Sequence, residues 1–267
     1  MTVRHLFYRM VSAGLIEKSE GEYKNVVVRL CGEFREAGRI AWGHIVDESR
    51  WIRGVETYEN ASDALSAYAR KYRAPVWDDL PVKPLVLVEK DAMAGHLASL
   101  CEEYDAPLLP VKGFCSKTYV RMLAEIAVAS LDMGQRIAVF VFGDHDPSGV
   151  AAPIGLEGLM AQYMEDILGR APSYRPWFIR LAINPEQIVA FDLATRPAKP
   201  TDSRAKDWSG GCVELDAMRP RDLQSLLESE FIDLLPPGHM ADVRQREEEE
   251  IEMLMDAAAA AGFGPNV

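Results

Sequence analysis

Three acidic residues lie directly after two apolar runs of the sequence. Asp144 and Asp146 follow the run over residues 137–142, and Glu89 follows the run over residues 85–88. Both runs are typical of buried strands, and residues i and i+2 of an extended chain point to the same side. Because open α/β sheets bind ligands at the carboxyl ends of their strands, we expect the three carboxylates to meet there. Carboxylate oxygens are ligands that Mg²⁺ prefers, so the pattern predicts a metal site formed by Glu89, Asp144 and Asp146.

A structural role is the alternative interpretation of these acids. Acids often follow a buried strand because they begin a loop or cap the next helix. Either apolar run taken alone favours the structural role. The occurrence of two such strand ends in one chain favours a shared site.

The acidic motifs resemble those of the Toprim domain of topoisomerases, primases and related nucleases. Glu89 corresponds to the acid of the first motif, and residues 144–149 match the second motif, Asp-x-Asp-x-x-Gly. Together with Lys90, and with Gly113 and Phe114 between the two motifs, the pattern is similar to small bacterial and phage relatives of the DNA-cleaving subunit of DNA topoisomerase VI. The resemblance implies a Toprim fold that binds Mg²⁺, with Lys90 and Gly113 among the residues that contact DNA.

The first residues of the chain extend the resemblance. Arg4 precedes Tyr8 by four positions, as a basic residue does in the family segment that supplies the DNA-attacking tyrosine. Phe7 fills the penultimate aromatic position, whereas His5 replaces the usual acid. The resemblance implies that Tyr8 is the nucleophile, that Arg4 assists it, and that a homodimer combines Tyr8 of one subunit with the metal site of the other. Packing in an amphipathic helix is the alternative role of Tyr8.

Size and composition predict a cytoplasmic protein of two domains. We place an N-terminal winged-helix-like domain with a helical connector over residues 1–80, and a Toprim domain with a C-terminal extension over residues 81–267. The formal net charge is −12, yet residues 1–80 contain 12 basic and 12 acidic residues, so the second part carries the whole deficit. The four cysteines lack the spacing of a zinc site, and no apolar stretch is long enough to span a membrane.

Hydrophobic periodicity predicts the elements that position these residues. Helices over 3–13 and 23–37, followed by short extended pieces at 39–42 and 45–47, favour a winged helix whose Lys24, Arg29 and Arg35 contact DNA phosphates. The second domain alternates strands and helices, which predicts an α/β fold with a mainly parallel sheet flanked by helices. The predicted strands are 85–88, 108–111, 137–142 and 177–182, and the predicted helices are 61–72, 91–104, 116–132, 153–168, 221–235 and 244–261.

A basic, proline-containing loop covers residues 196–206. Arg204 and Lys206 in this loop are candidates for phosphate contacts across from the acids. A solvated surface loop has the same composition and is the alternative. Glu214 and Asp216 follow in a Glu-Leu-Asp-Ala segment that is similar to one in the same small relatives, and we interpret that segment as structural.

Three functional hypotheses are open. The preferred hypothesis is Mg²⁺-dependent cleavage of duplex DNA by tyrosine transesterification. The alternatives are a metal-dependent nuclease that activates water with the same acids, and a noncatalytic DNA-binding protein. Tyr8 distinguishes the two enzymes, and the intact acids argue against the third hypothesis. The sequence has no Walker A motif, so ATP-driven strand passage would require a separate ATPase subunit.

Overall fold

The chain forms two compact units, Met1–Thr57 and Tyr58–Val267. The computed structural model describes residues 2–45, 55–111, 116–199 and 202–260. The observed division precedes the predicted one at residue 80, because the connector helix belongs to unit 2. This helix, α3 (Ala61–Lys71), packs against the last helix of the chain, α9 (His239–Ala258).

Unit 1 contains the two predicted helices. The first, α1 (Val3–Ser12), begins at Thr2, whose side chain accepts a hydrogen bond from the His5 amide at 3.2 Å. A π-helical segment (Glu22–Val28) continues directly into α2 (Arg29–Glu36). The helices bury one face in a small apolar core formed by Phe7, Val27, Cys31 and Ile45.

The winged helix predicted for unit 1 is not confirmed. A wing requires paired strands, and residues 2–45 contain none; the chain after α2 forms a 3₁₀ turn at Trp42–His44 instead. The Arg35 guanidinium stabilises this turn, because it donates hydrogen bonds to the carbonyls of Trp42 and Ile45 at 3.0 and 2.9 Å. Most of the extended piece predicted at 45–47 lies outside the described residues.

Unit 2 is a mixed α/β unit built on a four-stranded parallel sheet, which confirms the predicted sheet and its helical flanks. The strands are β1 (Val82–Val88), β2 (Leu108–Pro110), β3 (Arg136–Phe142) and β4 (Trp177–Ala182), in the order β2-β1-β3-β4. The remaining helices described are α4 (Asp91–Glu103), α5 (Lys117–Asp132), α6 (Pro147–Leu168), α7 (Pro185–Ala190) and α8 (Pro220–Leu234).

Helices cover both faces of the sheet, which explains the nearly continuous apolar sequences of its central strands. Val86 belongs to a core with Leu97 of α4 and Leu227 of α8. The next residue of β1, Leu87, belongs to a separate core with Met160 of α6. Successive strand residues thus enter opposite cores. The residues that follow the strands remain available for a site.

Two helices begin earlier than predicted. α6 begins at Pro147, six positions before the predicted start at residue 153, and α9 begins at His239, before the predicted start at residue 244. Proline suits the first position of α6, because its φ angle is already helical and its missing N–H would have no partner there. None of the helices in the described ranges is long and apolar enough to cross a membrane.

Candidate functional site

The ends of β1 and β3 bring Glu89 and Asp144 together, as predicted. The two strands pair in parallel with Val88 opposite Phe142, so the residues that follow leave the sheet side by side. The Glu89 amide donates a hydrogen bond to the Phe142 carbonyl at 2.9 Å. The Glu89 Oε2 atom accepts one from the Asp144 amide at 2.8 Å.

Two glycines permit this close approach. A Cβ atom on Gly143 would lie 2.9 Å from Glu89 Oε2. A Cβ atom on Gly149 would lie 2.4 Å from the Asp144 carbonyl oxygen and 3.2 Å from Glu89 Oε2. The backbone at both glycines therefore lies close to the Glu89 carboxylate. The glycine at the last position of the Asp-x-Asp-x-x-Gly motif is explained by the lack of space for a side chain.

Asp146 is the N-cap of α6, the structural role that was the alternative interpretation of the acids. Its backbone is extended (φ −146°, ψ 170°), and its Oδ1 atom accepts a hydrogen bond from the Gly149 amide at 2.7 Å. The capping bond satisfies one of the amides that a helix start leaves without a partner. Within the described part of the chain, the second carboxylate oxygen of Asp146 makes no hydrogen bond.

Asp144 is the buried acid of the site, with 7 % of its surface exposed. Its Oδ1 atom accepts a hydrogen bond from the Leu215 amide at 2.8 Å and forms a salt bridge with Lys90 Nζ at 3.1 Å. Burial raises the pKa of Asp144, and the ammonium group of Lys90 opposes this change. The described residues contain no group of three His, Cys, Asp or Glu side chains that converge as metal ligands, so the predicted convergence of all three acids is not observed.

Glu89 and Asp146 lack the cationic partner that Asp144 has. Among the residues described, neither forms a salt bridge, and their hydrogen bonds come from the amides of Asp144 and Gly149. Burial raises the pKa of Glu89, the carboxylates of Asp144 and Asp146 raise it further, and the Asp144 amide opposes the change. Among the described residues, the edge of the sheet thus carries two carboxylates that form no salt bridge, although the buried Arg180 guanidinium interacts with both electrostatically.

Lys90 is surrounded by acids of its own chain. Its Nζ atom lies 2.9 Å from Asp216 Oδ1, 3.1 Å from Asp144 Oδ1 and 3.7 Å from Glu214 Oε2. The predicted role of Lys90 was a contact with DNA, whereas its observed contacts lie within the site. Glu214 and Asp216, which we interpreted from the sequence as structural, are neighbours of Lys90; the contact was not predictable, because Asp216 lies 126 positions from Lys90.

Arg180 of β4 is a further site residue that was not singled out from the sequence. Burial lowers the pKa of its guanidinium, and the carboxylates of the site oppose this change. The side chain donates hydrogen bonds at 2.6–3.1 Å to four backbone carbonyls, those of Gly143, Asp144, Gly149 and Ile183. The available signal was a lone arginine within the apolar strand Trp177–Ala182.

Arg180 also compensates for a proline inside α6. Pro153 lacks the N–H that would bond the carbonyl of Gly149, four residues earlier in the helix. The Arg180 Nη1 atom donates to that carbonyl at 3.0 Å. The helix can therefore contain Pro153 and still start at the acidic turn.

The segment 196–213 is joined to the acidic turn by backbone pairing. His145 and Val213 exchange hydrogen bonds of 2.8 and 3.0 Å, and the His145 ring lies 4.9 Å from the Trp208 ring. Burial lowers the pKa of His145. The buried His145 Nδ1 and Trp208 Nε1 atoms have no hydrogen-bond partner in the described part of the chain.

The basic loop lies beside the start of α6. Ser148 Oγ donates a hydrogen bond to Asp202 at 2.8 Å, and Asp202 begins a 3₁₀ turn at Ser203–Asp207. Arg204 and Lys206 are exposed on this turn. Their contacts with phosphate stay a prediction.

The other residues predicted to bind DNA have partners within unit 1 or lie outside the described residues. Lys24 lies 3.0 Å from Glu20, and Arg29 lies 2.7 Å from Glu33, both as exposed pairs one helical turn apart. Such pairs contribute little to stability, so phosphates can replace the carboxylates. Arg35 instead holds the turn after α2. Gly113 lies outside the described residues.

Tyr8 and Arg4 lie one turn apart on α1 and contact aromatic or cationic neighbours. The half-buried Tyr8 ring packs edge-on against Phe7, with 5.4 Å between ring centroids, and Lys18 Nζ lies 5.3 Å from the Tyr8 centroid. The Arg4 guanidinium lies 5.7 Å from the centroid of Tyr23. Tyr8 therefore belongs to unit 1, and the acids belong to unit 2.

The site of unit 2 thus combines a lysine-paired acid, two carboxylates that form no salt bridge with the described residues, and an arginine that holds the acidic turn. No protein-family model matches the chain, and no curated protein matches its sequence.

Proposed function

We propose that the protein cleaves duplex DNA in a Mg²⁺-dependent reaction in which Tyr8 is the nucleophile. The observation that supports it best is the pair of carboxylates, Glu89 and Asp146, which lie at the carboxyl edge of a parallel sheet without a salt-bridge partner among the described residues. That edge is where open α/β sheets bind ligands.

The donor set fits Mg²⁺. In phosphate-processing sites Mg²⁺ is commonly held by one or two carboxylates, and phosphate oxygens and water complete its shell. Glu89 and Asp146 would hold the ion, and Asp144 would support it from its position beside the Glu89 carboxylate. When bound, the ion neutralises phosphate charge and stabilises the departing 3′ oxygen.

Tyr8 supplies the covalent chemistry in this proposal. Its Oη atom forms a bond to the phosphorus while the bond from phosphorus to the 3′ oxygen breaks, and the proton of the phenol is balanced by the one taken up at the free 3′ hydroxyl. A homodimer would combine Tyr8 of one subunit with the acids of the other, and a separate ATPase subunit would drive any strand passage.

The test is whether cleavage leaves protein attached to DNA. Wild type with labelled duplex DNA and MgCl₂ should give an SDS-resistant adduct at a 5′ end. Tyr8→Phe should abolish the adduct and leave DNA affinity intact. Tyr23→Phe, the matched control in the same unit, should reduce the rate by at most about tenfold, since one lost hydrogen bond costs about 0.5–1.5 kcal/mol. Glu89→Gln should abolish cleavage because it removes a charged metal ligand.

A metal-dependent nuclease is the second candidate function. The packing of the Tyr8 ring against Phe7, a residue of the unit 1 core, favours it, because this is the contact of a structural tyrosine. In that enzyme the same acids would activate water. Cleavage that survives Tyr8→Phe but is lost in Glu89→Gln, with no protein-linked end, would establish the nuclease.

A further inference from the structure

We propose that Lys90 is an internal cation that occupies the Asp144 carboxylate and thereby confines a bound divalent cation to Glu89 and Asp146. The inference rests on the metal site of the proposed function. In this proposal, Lys90 limits the number of carboxylates that can bind the metal, and thereby the affinity of the site for the metal.

The contacts of Lys90 leave it little freedom. Its side chain is 28 % exposed, and Nζ lies within 3.1 Å of both Asp144 and Asp216. These two acids approach from different parts of the chain, one after β3 and the other after residue 213, where the chain pairs with His145. Lys90 thus connects the sheet edge to the C-terminal extension through these two salt bridges.

The surrounding charges keep the lysine in place. Glu214, 3.7 Å from Lys90 Nζ, is also paired with Arg196 at 2.6 Å. Lys90 and Arg196 together face three carboxylates, those of Asp144, Glu214 and Asp216. Moving Lys90 away would remove the cation that contacts all three of these acids, which is unfavourable in a partly buried cluster.

Asp144 is consequently engaged before any metal arrives. Its Oδ1 atom forms a salt bridge with Lys90 and accepts a hydrogen bond from the Leu215 amide, whereas the described hydrogen bonds of Glu89 and Asp146 come from amides alone. A divalent cation bound by Glu89 and Asp146 would be repelled by the Lys90 ammonium group behind the Asp144 carboxylate. Removing that charge should strengthen metal binding, because at an effective dielectric constant of ~20 a like charge even ~8 Å away opposes binding by more than a factor of about ten.

The experiment compares Lys90→Met with Lys83→Met in the full-length chain. Lys83 is a matched control, since it lies on β1, the strand that leads to Lys90, is 27 % exposed and, among the described residues, forms a salt bridge with Asp78 at 2.7 Å. MgCl₂ binding is measured by titration calorimetry and by the shift in Tm, without DNA. We expect Lys90→Met to bind Mg²⁺ at least about tenfold more tightly than wild type, and Lys83→Met to bind as wild type does.

Each outcome decides the proposal. Equal Mg²⁺ affinity of wild type and Lys90→Met would overturn it and leave the metal site of the proposed function standing. No Mg²⁺ binding by wild type but binding by Lys90→Met would support the role of Lys90 and contradict the proposed function. Binding by neither protein would overturn both. If Lys90→Met does not fold, the double variant Lys90→Met/Asp216→Asn, which removes one charge of each sign, replaces it with the same expectations.

Discussion

Gly149 lies so close to the Asp144 carbonyl that a side chain has no room there. Its amide bonds the Asp146 carboxylate, and its carbonyl accepts from Arg180. A single residue therefore joins the helix cap to the arginine and permits the approach of Glu89. Replacement of this glycine should disturb the fold and the metal site together.

We expect Gly149→Ala to lower the free energy of unfolding by about 1–3 kcal/mol, because the methyl group would force the backbone of Asp144 to move. The variant should also lose the Mg²⁺-dependent rise in Tm. Gly158→Ala is the matched control in the same helix: it meets no atom within 4 Å and should gain about 0.5–1 kcal/mol from helix propensity. Urea unfolding with and without MgCl₂ measures both. Unchanged stability of Gly149→Ala would contradict the steric argument.

At the residue scale, the sequence predicted contacts that follow from one rule of sheet geometry. Glu89 and Asp144 each follow an apolar run, and parallel pairing of those runs was enough to place them together. The partners of Lys90 were not predictable in this way. Asp216 lies 126 positions away, and no local pattern indicates which acid will reach Lys90 when the C-terminal extension folds back.

At the element scale, β4 and α6 depend on each other through Arg180. The helix carries Pro153, so the Gly149 carbonyl lacks its usual donor. The strand supplies that donor, and the same guanidinium bonds the carbonyls of Gly143 and Asp144. The position of the acidic turn is thus fixed by a strand that contributes no acid.

A double-mutant cycle tests this dependence. We expect Arg180→Leu to cost about 3 kcal/mol or more, because several buried carbonyls lose a charged donor. In a Pro153→Ala background the cost should be smaller by about 0.5–2 kcal/mol, since the restored N–H of residue 153 can bond the Gly149 carbonyl. Urea unfolding gives the four free energies. As a control, the effects of Pro153→Ala and of Arg175→Leu, at an exposed arginine, on the free energy of unfolding should be additive. Additive effects of Pro153→Ala and Arg180→Leu would contradict the compensation of Pro153 by Arg180.

Elements were predictable where local sequence and tertiary structure agree. The apolar runs of the four strands and the periodicity of α4 and α5 predicted those elements closely. The first turns of α6 were missed because Pro147, Gly149 and Pro153 are helix breakers when read locally, and only Arg180 and the Asp146 cap make them compatible with a helix. The turn after α2 was missed because Arg35, an assumed DNA contact, bonds its carbonyls.

At the scale of the whole molecule, the net charge of −12 arises outside residues 1–80. Part of that charge lies at the site, where Glu89 and Asp146 lack a salt-bridge partner among the described residues. The composition placed the excess in the second part of the chain, and the strand-end pattern placed these acids at the edge of the sheet. Because the acids repel one another and phosphate as well, both the stability of the fold and its affinity for DNA should depend on a cation at this edge.

The pH dependence of stability tests whether Glu89 carries uncompensated charge. Burial and the nearby carboxylates raise its pKa, so the folded chain holds this proton more tightly than the unfolded chain does. Glu89 therefore stabilises the fold below its ordinary pKa of 4.5, and this stabilisation is lost as the pH rises through the higher pKa of the folded state.

In EDTA, we expect Glu89→Gln to unfold about 2–4 °C above wild type at neutral pH, because the amide oxygen still accepts from the Asp144 amide but carries no charge. The difference should vanish as the pH approaches the range in which both states are protonated. Saturating MgCl₂ should reverse the order, since binding stabilises only the protein that keeps its carboxylate. Thermal scans at several pH values measure this, with the exposed Glu165→Gln as a control that should follow wild type. A Tm difference that does not change with pH would remove the electrostatic support for a metal at this site.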